Sequence, residues 1–131
     1  MTDIYFVRHG NTFDKGDIVT RVGARTDLPL SSSGEAQADR LAMLFRDIAP
    51  NGFTAAYCSE LQRTRQTAET ILQAYDERPD LRVLDFLREV DYGPDENQPE
   101  DQVIARVGEA ALQVWERDAV PPPGWAVSPA A

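Results

Sequence analysis

Short apolar runs alternate with longer segments that have helical periodicity along most of the chain. Three runs have the length of buried strands, and they lie at residues 4–7, 53–58 and 81–86. Three amphipathic segments predict helices, from the serines at 31–33 to about 49, from 59 to about 75, and from 99 to about 119. This alternation predicts an α/β fold, a three-layer αβα arrangement with a mostly parallel sheet.

The predicted helices carry apolar stripes that indicate which faces are buried. In the first helix the stripe consists of Leu41, Leu44, Phe45 and Ile48, and in the second of Leu61, Ala68, Ile71, Leu72 and Tyr75. In the third it consists of Val103, Val107, Ala111, Val114 and Trp115. The segment 11–33 has no such pattern, and because structureless loops of this length tend to be functional, we expect it to line a site.

The size of the chain limits the architecture. With 131 residues and 42% hydrophobic content, we expect a single domain over residues 1–131. Three strands make a thin sheet, and parallel sheets are normally covered and extended on both sides. The sequence therefore predicts a fold that is incomplete at its C-terminal end.

The charge and cysteine content exclude several classes of protein. A formal net charge of -9 argues against nucleic acid as a partner. The chain has no apolar run of membrane-spanning length, and its first residues do not resemble a signal peptide, so we expect a soluble cytoplasmic protein with no membrane partner. One cysteine, Cys58, and one histidine leave no Cys/His set for zinc, and we expect no metal and no cofactor.

The candidate chemistry lies where the predicted strands end. The segment Arg8-His9-Gly10-Asn11-Thr12 follows the first strand directly, at the carboxyl end where α/β folds bind ligands. His9 is the candidate nucleophile, and a loop histidine without chemistry is the alternative interpretation. Arg63 lies near the end of the second strand, so Arg8 and Arg63 are expected to converge on one phosphate. Asn11 and Thr12 supply further donors.

Two segments, Arg8 to Thr12 and Ser59 to Ala68, resemble the two signatures of the histidine phosphatase superfamily, which includes the cofactor-dependent phosphoglycerate mutases. The resemblance implies a phosphoglycerate mutase-like fold in which His9 attacks phosphorus and carries the phosphoryl group. It also implies that Arg63 binds phosphate.

The same resemblance suggests roles for three further residues. Arg25 matches a loop arginine that often faces substrate, and Arg21 is a second candidate for that role. Glu89 follows the third strand, at a position similar to that of the family's acid, which protonates the leaving group. The acidic segment after it, residues 91–97, is expected to be a solvated loop or lid.

The sequence departs from the family pattern in one respect. Relatives carry a second histidine in a later strand that pairs with the first strand, and this sequence has one histidine only. An unpaired first-strand edge favours association, so a homodimer through that edge, or a C-terminal segment that covers it, is a hypothesis. Whether the chain is a natural short form or a truncated product stays open.

Three functions remain after these considerations. The preferred one is hydrolysis of phosphomonoesters, on a phosphorylated small molecule or a phosphoprotein, through a phosphohistidine at His9. The alternatives are a non-catalytic domain that binds phosphate or a phosphorylated ligand, and phosphoryl transfer of the phosphoglycerate mutase type. A structural fragment without any ligand is a weaker interpretation.

Overall fold

The structure, a computed structural model, describes residues 2–127 of the chain. The expected single domain also includes residues 1 and 128–131, which lie outside the described residues. The elements in chain order are helix α1 (Ser32–Ile48), strand β1 (Ala56–Cys58), helix α2 (Gln62–Leu72), strand β2 (Leu81–Val83), helix α3 (Glu100–Val107) and helix α4 (Glu109–Asp118). Two short 3-10 turns, Asp85–Leu87 and Gly93–Asp95, precede α3. Within the described range, no helix is both long enough and apolar enough to cross a bilayer.

A parallel strand pair is the centre of the fold. Strands β1 and β2 pair in parallel, with Ala56, Tyr57 and Cys58 opposite Leu81, Arg82 and Val83. Helix α2 connects the two strands, so β1, α2 and β2 form the predicted βαβ unit. Both strands are shorter than the apolar runs that predicted them, and β2 ends where the chain turns into the 3-10 segment at Asp85–Leu87.

The apolar run at residues 4–7 does not form the strand that the sequence predicted there. It pairs with no strand among the described residues, so the expected first strand is not formed there. The side chains of Ile4 and Phe6 are 73% and 92% exposed. A strand needs a neighbour to satisfy its backbone groups, and the described sheet of β1 and β2 does not extend to this segment.

Helix α1 begins where the serines predicted it. The Ser31 hydroxyl accepts a hydrogen bond from the Gly34 N–H at 3.2 Å, which makes Ser31 the N-cap. The Asp14 carboxylate accepts hydrogen bonds from the N–H groups of Ser32 and Ser33, each at 3.2 Å. Hydrogen bonds from the Ser33 and Ser31 hydroxyls lower the pKa of Asp14, and the positive end of the helix favours its charge.

The buried face of α1 is rotated from the predicted stripe. Of the four predicted residues only Phe45 is fully buried, while Leu44 and Ile48 are half exposed. Ala38 and Ala42 are buried instead, where α1 packs against α2. Small side chains permit close approach of two helices, which an apolar stripe of large residues does not reveal.

Four aromatic rings join the N-terminal segment to the helices. Tyr5 packs edge-to-face on Phe45 and Phe53, with centroid distances of 5.3 and 5.9 Å. Phe53 contacts Tyr75 in the same geometry. The Tyr75 hydroxyl donates to the Ala49 carbonyl at 2.8 Å, and burial raises the pKa of Tyr75. This cluster therefore holds the segment that leads to His9 against α1.

A second core lies between α3, α4 and the C-terminal segment. It consists of Val103, Leu112 and Trp125, with partly buried neighbours around them. The predicted single helix from 99 to 119 is split at Gly108, which has a φ of 83° that L-residues rarely adopt. The break allows Val103 of α3 and Leu112 of α4 to face the same core.

Candidate functional site

The loop that follows residues 4–8 is tied to both α1 and α2. The Gly10 N–H donates to the Thr67 hydroxyl at 3.2 Å, and that hydroxyl donates to the Arg63 carbonyl at 2.9 Å. On the other side, the Asn11 N–H donates to the Gln37 side-chain oxygen at 2.8 Å. The His9 loop is thus anchored to the helix that carries Arg63, although the described residues before it form no hydrogen-bonded strand.

His9 has a defined ring orientation. Its Nδ1 lies 2.7 Å from the Gly10 carbonyl oxygen, which can only accept a hydrogen bond. Nδ1 therefore carries the proton in the neutral ring, and Nε2 holds the free lone pair. The side chain is partly buried. This is the tautomer that an imidazole needs in order to attack through Nε2.

Arg63 is the most deeply buried charged group among the described residues. Its side chain is 1% exposed, and its two terminal nitrogens donate to the carbonyls of Thr26, at 2.7 Å, and Gly23, at 3.3 Å. Nε has no hydrogen-bond partner within the described chain. Burial lowers the pKa of Arg63, and the charge of Glu89 is the largest opposing influence. Neutral carbonyls rather than a carboxylate accept the hydrogen bonds of this guanidinium, so its charge has no direct counter-ion among the described residues.

The carbonyls that accept hydrogen bonds from Arg63 belong to the loop at residues 11–33, for which the sequence predicted no specific contacts. The Glu96 carboxylate accepts hydrogen bonds from the Arg25 N–H at 2.9 Å and the Thr26 hydroxyl at 2.7 Å. Glu96 lies in the acidic segment that was expected to be a solvated loop or lid, yet it is partly buried. The sequence signal for Glu96 was weak, because one glutamate among 22 acidic residues carries no mark of a buried role.

Glu89, the candidate acid, lies near Arg63 but is exposed. Its carboxylate accepts a hydrogen bond from the Val90 N–H at 3.0 Å and acts electrostatically on Arg63 and Tyr92. Burial and the Glu89 charge together raise the pKa of Tyr92. The side chain is thus close enough to share an electrostatic environment with the guanidinium, with solvent on its other side.

The three remaining candidates in the His9 segment differ in exposure. Arg8 is exposed, and Thr12 is partly buried. Asn11 is exposed, and its side-chain amide donates to the Ser33 hydroxyl at 3.3 Å. Contacts of Arg8, Asn11 and Thr12 with phosphate stay predictions.

Arg21 is engaged by a carboxylate and by two aromatic rings. It donates to both Glu100 oxygens, at 2.9 and 3.0 Å, and its guanidinium lies 5.1 Å from the Tyr92 ring centroid and 5.2 Å from that of Trp125. These contacts connect the loop 11–33 to the second core. A role for Arg21 in binding phosphate stays a prediction.

Arg25 is held by the segment that precedes α3. Its Nε donates to both Asp91 carboxylate oxygens, at 3.0 and 3.1 Å, and a terminal nitrogen donates to the Gly93 carbonyl at 2.8 Å. Hydrogen bonds from the Gly93 N–H and from Arg25 lower the pKa of Asp91. More than half of the Arg25 side chain remains exposed, and its contact with substrate stays a prediction.

Curated relatives share much of this sequence. The chain is 38% identical over 93 residues to a Proteus mirabilis protein named Probable phosphoglycerate mutase GpmB, a match that covers 71% of this chain and 40% of the relative. The match therefore spans less than half the length of that relative.

Solved structures share the fold. A mycobacterial glucosyl-3-phosphoglycerate phosphatase superposes with a TM-score of 0.70 at 26% identity, over 89% of this chain and 52% of that one. The same enzyme in complex with inorganic phosphate gives a TM-score of 0.68 at 26% identity, over 89% of this chain and 51% of that one. The predicted αβα fold of the phosphoglycerate mutase type is confirmed.

A family model extends the agreement to almost the whole sequence. The model of the histidine phosphatase superfamily (branch 1) matches residues 4–131. The match includes the His9 loop, Arg63 and Glu89, the residues that the sequence singled out as candidates. The chain belongs to the histidine phosphatase superfamily.

Proposed function

We propose that this chain hydrolyses phosphomonoesters through a phosphohistidine intermediate at His9. The observation that carries the proposal is the state of Arg63, which is 1% exposed and has an Nε without a partner among the described residues. A buried guanidinium that forms no direct ion pair with a carboxylate among the described residues supports a binding site for an anion. Thr67 connects the helix that carries this cation to the loop that carries His9.

The proposed reaction has two steps. In the first, His9 Nε2 forms a bond to phosphorus as the bond from phosphorus to the leaving oxygen breaks, and Glu89 gives that oxygen a proton. In the second, water attacks phosphorus and loses a proton to Glu89, while the phosphorus–nitrogen bond breaks and its electron pair returns to Nε2. The products are an alcohol and inorganic phosphate. Arg63 stabilises the charge on the phosphoryl oxygens in both steps.

The known relatives support hydrolysis and a phosphate ligand. A structural neighbour is a phosphatase, and one of its structures contains inorganic phosphate. We propose the same reaction for the present chain, with a phosphorylated small molecule or a phosphoprotein as its substrate. Mutase-type transfer is supported by the name of the Proteus relative, and it requires a pocket that retains the phosphoryl group between two transfers.

A non-catalytic phosphate-binding domain is the second candidate. Two observations favour it, namely the single histidine of the sequence and the exposed position of Glu89. A buried acid would be a better proton donor at neutral pH than one in contact with solvent. Binding through Arg63 would persist in such a domain, and turnover would not.

Release of phosphate from a generic aryl phosphate separates the two candidates. The assay compares the wild type with His9→Ala and with Arg117→Ala, which removes an exposed arginine of α4 as the matched control. Turnover that is lost in His9→Ala and retained in Arg117→Ala supports the hydrolase. Equal phosphate release from wild type and His9→Ala, together with an increase in melting temperature on addition of phosphate, supports the binding domain. Absence of both signals excludes both candidates.

A further inference from the structure

We infer that Glu96 is a positioning residue that sets the orientation of the Arg63 guanidinium. The inference rests on the proposed function, because orientation of this group matters only if Arg63 binds an anion. Glu96 does not contact Arg63 through a hydrogen bond, and it acts through the loop at residues 23–26. It differs in this respect from His9, Arg63 and Glu89, to which the proposed reaction assigns direct roles.

The Glu96 carboxylate joins two separate segments of the chain. One of its oxygens, Oε1, accepts hydrogen bonds from the Arg25 N–H at 2.9 Å and from the Thr26 hydroxyl at 2.7 Å. Its other oxygen, Oε2, accepts a hydrogen bond from the Tyr92 N–H at 2.9 Å. One side chain thus holds the 23–26 loop to the segment that begins at Glu89.

The same loop supplies both hydrogen-bond acceptors of Arg63. The Thr26 carbonyl and the Gly23 carbonyl accept from the two terminal nitrogens, at 2.7 and 3.3 Å. Since both acceptors lie within one four-residue turn, closed by the Thr26 N–H to the Gly23 carbonyl at 3.2 Å, a shift of the turn rotates the guanidinium. In this orientation Nε has no hydrogen-bond partner among residues 2–127.

The turn has little freedom to move while Glu96 is in place. The Ala24 N–H donates to the Val90 carbonyl at 2.9 Å. At Gly23, an added Cβ would overlap both the Glu96 carboxylate and the Val90 carbonyl. Gly23 is therefore packed directly against the two groups that hold the turn, and glycine is the residue that permits this approach.

A carboxylate suits this position better than an amide. Three donors point at its two oxygens, and an ionised carboxylate accepts at all its lone pairs, whereas a glutamine would turn an NH₂ group toward one of them. The negative charge of Glu96 also favours the charged form of Arg63, after Glu89 and Asp27. Replacement of Glu96 by glutamine therefore loosens the turn and removes a charge near the guanidinium.

The test measures phosphate affinity and the mobility of Arg63 in the same variants. The variants are Glu96→Gln, Thr26→Val, which removes one donor to Glu96, and Asp118→Asn, which removes a charge from an exposed α4 carboxylate. Inorganic phosphate is titrated calorimetrically at a temperature at which each variant is fully folded. Exchange of the Arg63 Nε hydrogen is followed by NMR of arginine labelled with ¹⁵N, and Arg63→Lys assigns the signal.

For Glu96→Gln we expect phosphate binding about tenfold weaker, equivalent to about 1.4 kcal/mol. For Thr26→Val we expect a smaller loss in the same direction, and for Asp118→Asn no change. The Arg63 Nε hydrogen should exchange faster in the first two variants, while the backbone amides of α1 keep their rates. General destabilisation would accelerate both sets alike, and that result would overturn the positioning role.

Failure of the inference and failure of the proposed function give different results. If phosphate binds the wild type and Arg63→Lys weakens it, while Glu96→Gln and Thr26→Val bind as the wild type does, the positioning role is wrong and the site stands. If phosphate binds neither the wild type nor any variant, the proposed function is wrong. In the case that Glu96→Gln does not fold, Thr26→Val decides between these outcomes.

Discussion

The backbones of Gly10 and Gly34 lie in direct contact. A Cβ on Gly10 would be 2.5 Å from the Gly34 carbonyl oxygen and 2.9 Å from the Gly34 Cα. A Cβ on Gly34 would in turn overlap the carbonyl of Asn11, the residue after Gly10. The first turn of α1 and the segment after His9 therefore leave no room for a side chain at Gly10 or Gly34. Only glycine at both positions permits this approach.

Gly10→Ala should destabilise the fold by roughly 1–3 kcal/mol, because the new methyl meets main-chain atoms that cannot move independently. It should also weaken phosphate binding, since relief of the clash moves His9 away from α1. Urea unfolding measures the first effect and phosphate titration the second. Gly16→Ala is the comparison for phosphate binding, because no described atom lies within 4 Å of the added methyl there, although the φ of 96° at Gly16 makes that substitution cost stability by itself. A Gly10→Ala protein with wild-type affinity for phosphate would show that the contact does not position His9.

Tyr5 is expected to anchor the His9 segment through its ring. Its ring packs edge-to-face on Phe45 and Phe53. The segment around Tyr5 has no strand partner in the described chain, so these contacts replace strand pairing as its attachment to the fold. Tyr5→Ala should therefore cost about 1–2 kcal/mol of unfolding free energy and accelerate amide exchange at residues 8–11. Phe6→Ala is the matched control, because its ring is 92% exposed and its loss should cost little. Equal costs for the two substitutions would contradict the anchoring role.

The sequence predicted those features that depend on local physics. The βαβ unit and the start of α1 at the serines follow from periodicity and capping, and both were found. The break of the last helix at Gly108 was missed, because a single glycine inside a helical pattern also occurs in unbroken helices. The run 4–7 predicted a strand from its apolar character, yet strand formation requires a partner that local sequence does not specify.

The sequence made Arg63 and His9 candidates through their positions after predicted strands and through the family resemblance. The structure connects the two residues through Thr67, and their roles in catalysis stay predictions. The roles of Glu96 and of the Gly23 and Thr26 carbonyls could not be predicted. They depend on contacts between residues about 40 to 70 positions apart, and no local pattern encodes such contacts.

Self-association through the N-terminal segment is a further expected outcome. The side chains of Ile4 and Phe6 are exposed on a segment without a strand partner in the described chain, and such apolar edges favour pairing with another copy. Light scattering after size exclusion should show a dimer at high protein concentration. Phe6→Lys should shift it to monomer, whereas Met43→Lys, on an exposed position of α1, should not. A wild type that stays monomeric at every concentration would exclude the dimer.

Asp95 should make the stability of the second core depend on acid pH. Its carboxylate is 2% exposed and accepts hydrogen bonds from Arg106 and, at 2.7 Å, from the Trp125 indole; the bonds from Arg106 are the main cause of its lowered pKa. Asp95→Asn should therefore cost roughly 2–4 kcal/mol of unfolding free energy at pH 7.

A lowered folded pKa gives stability that is fully present above the unfolded pKa of about 3.9 and lost as pH falls through the folded value. Urea unfolding between pH 7 and pH 3 should show a constant gap between wild type and variant above about pH 5, and a shrinking gap below about pH 4. Asp118→Asn, at an exposed pair with Arg117, should show almost no gap. A gap for Asp95→Asn that stays constant or widens in acid would mean that the Asp95 carboxylate is not held in its charged form by Arg106 and Trp125.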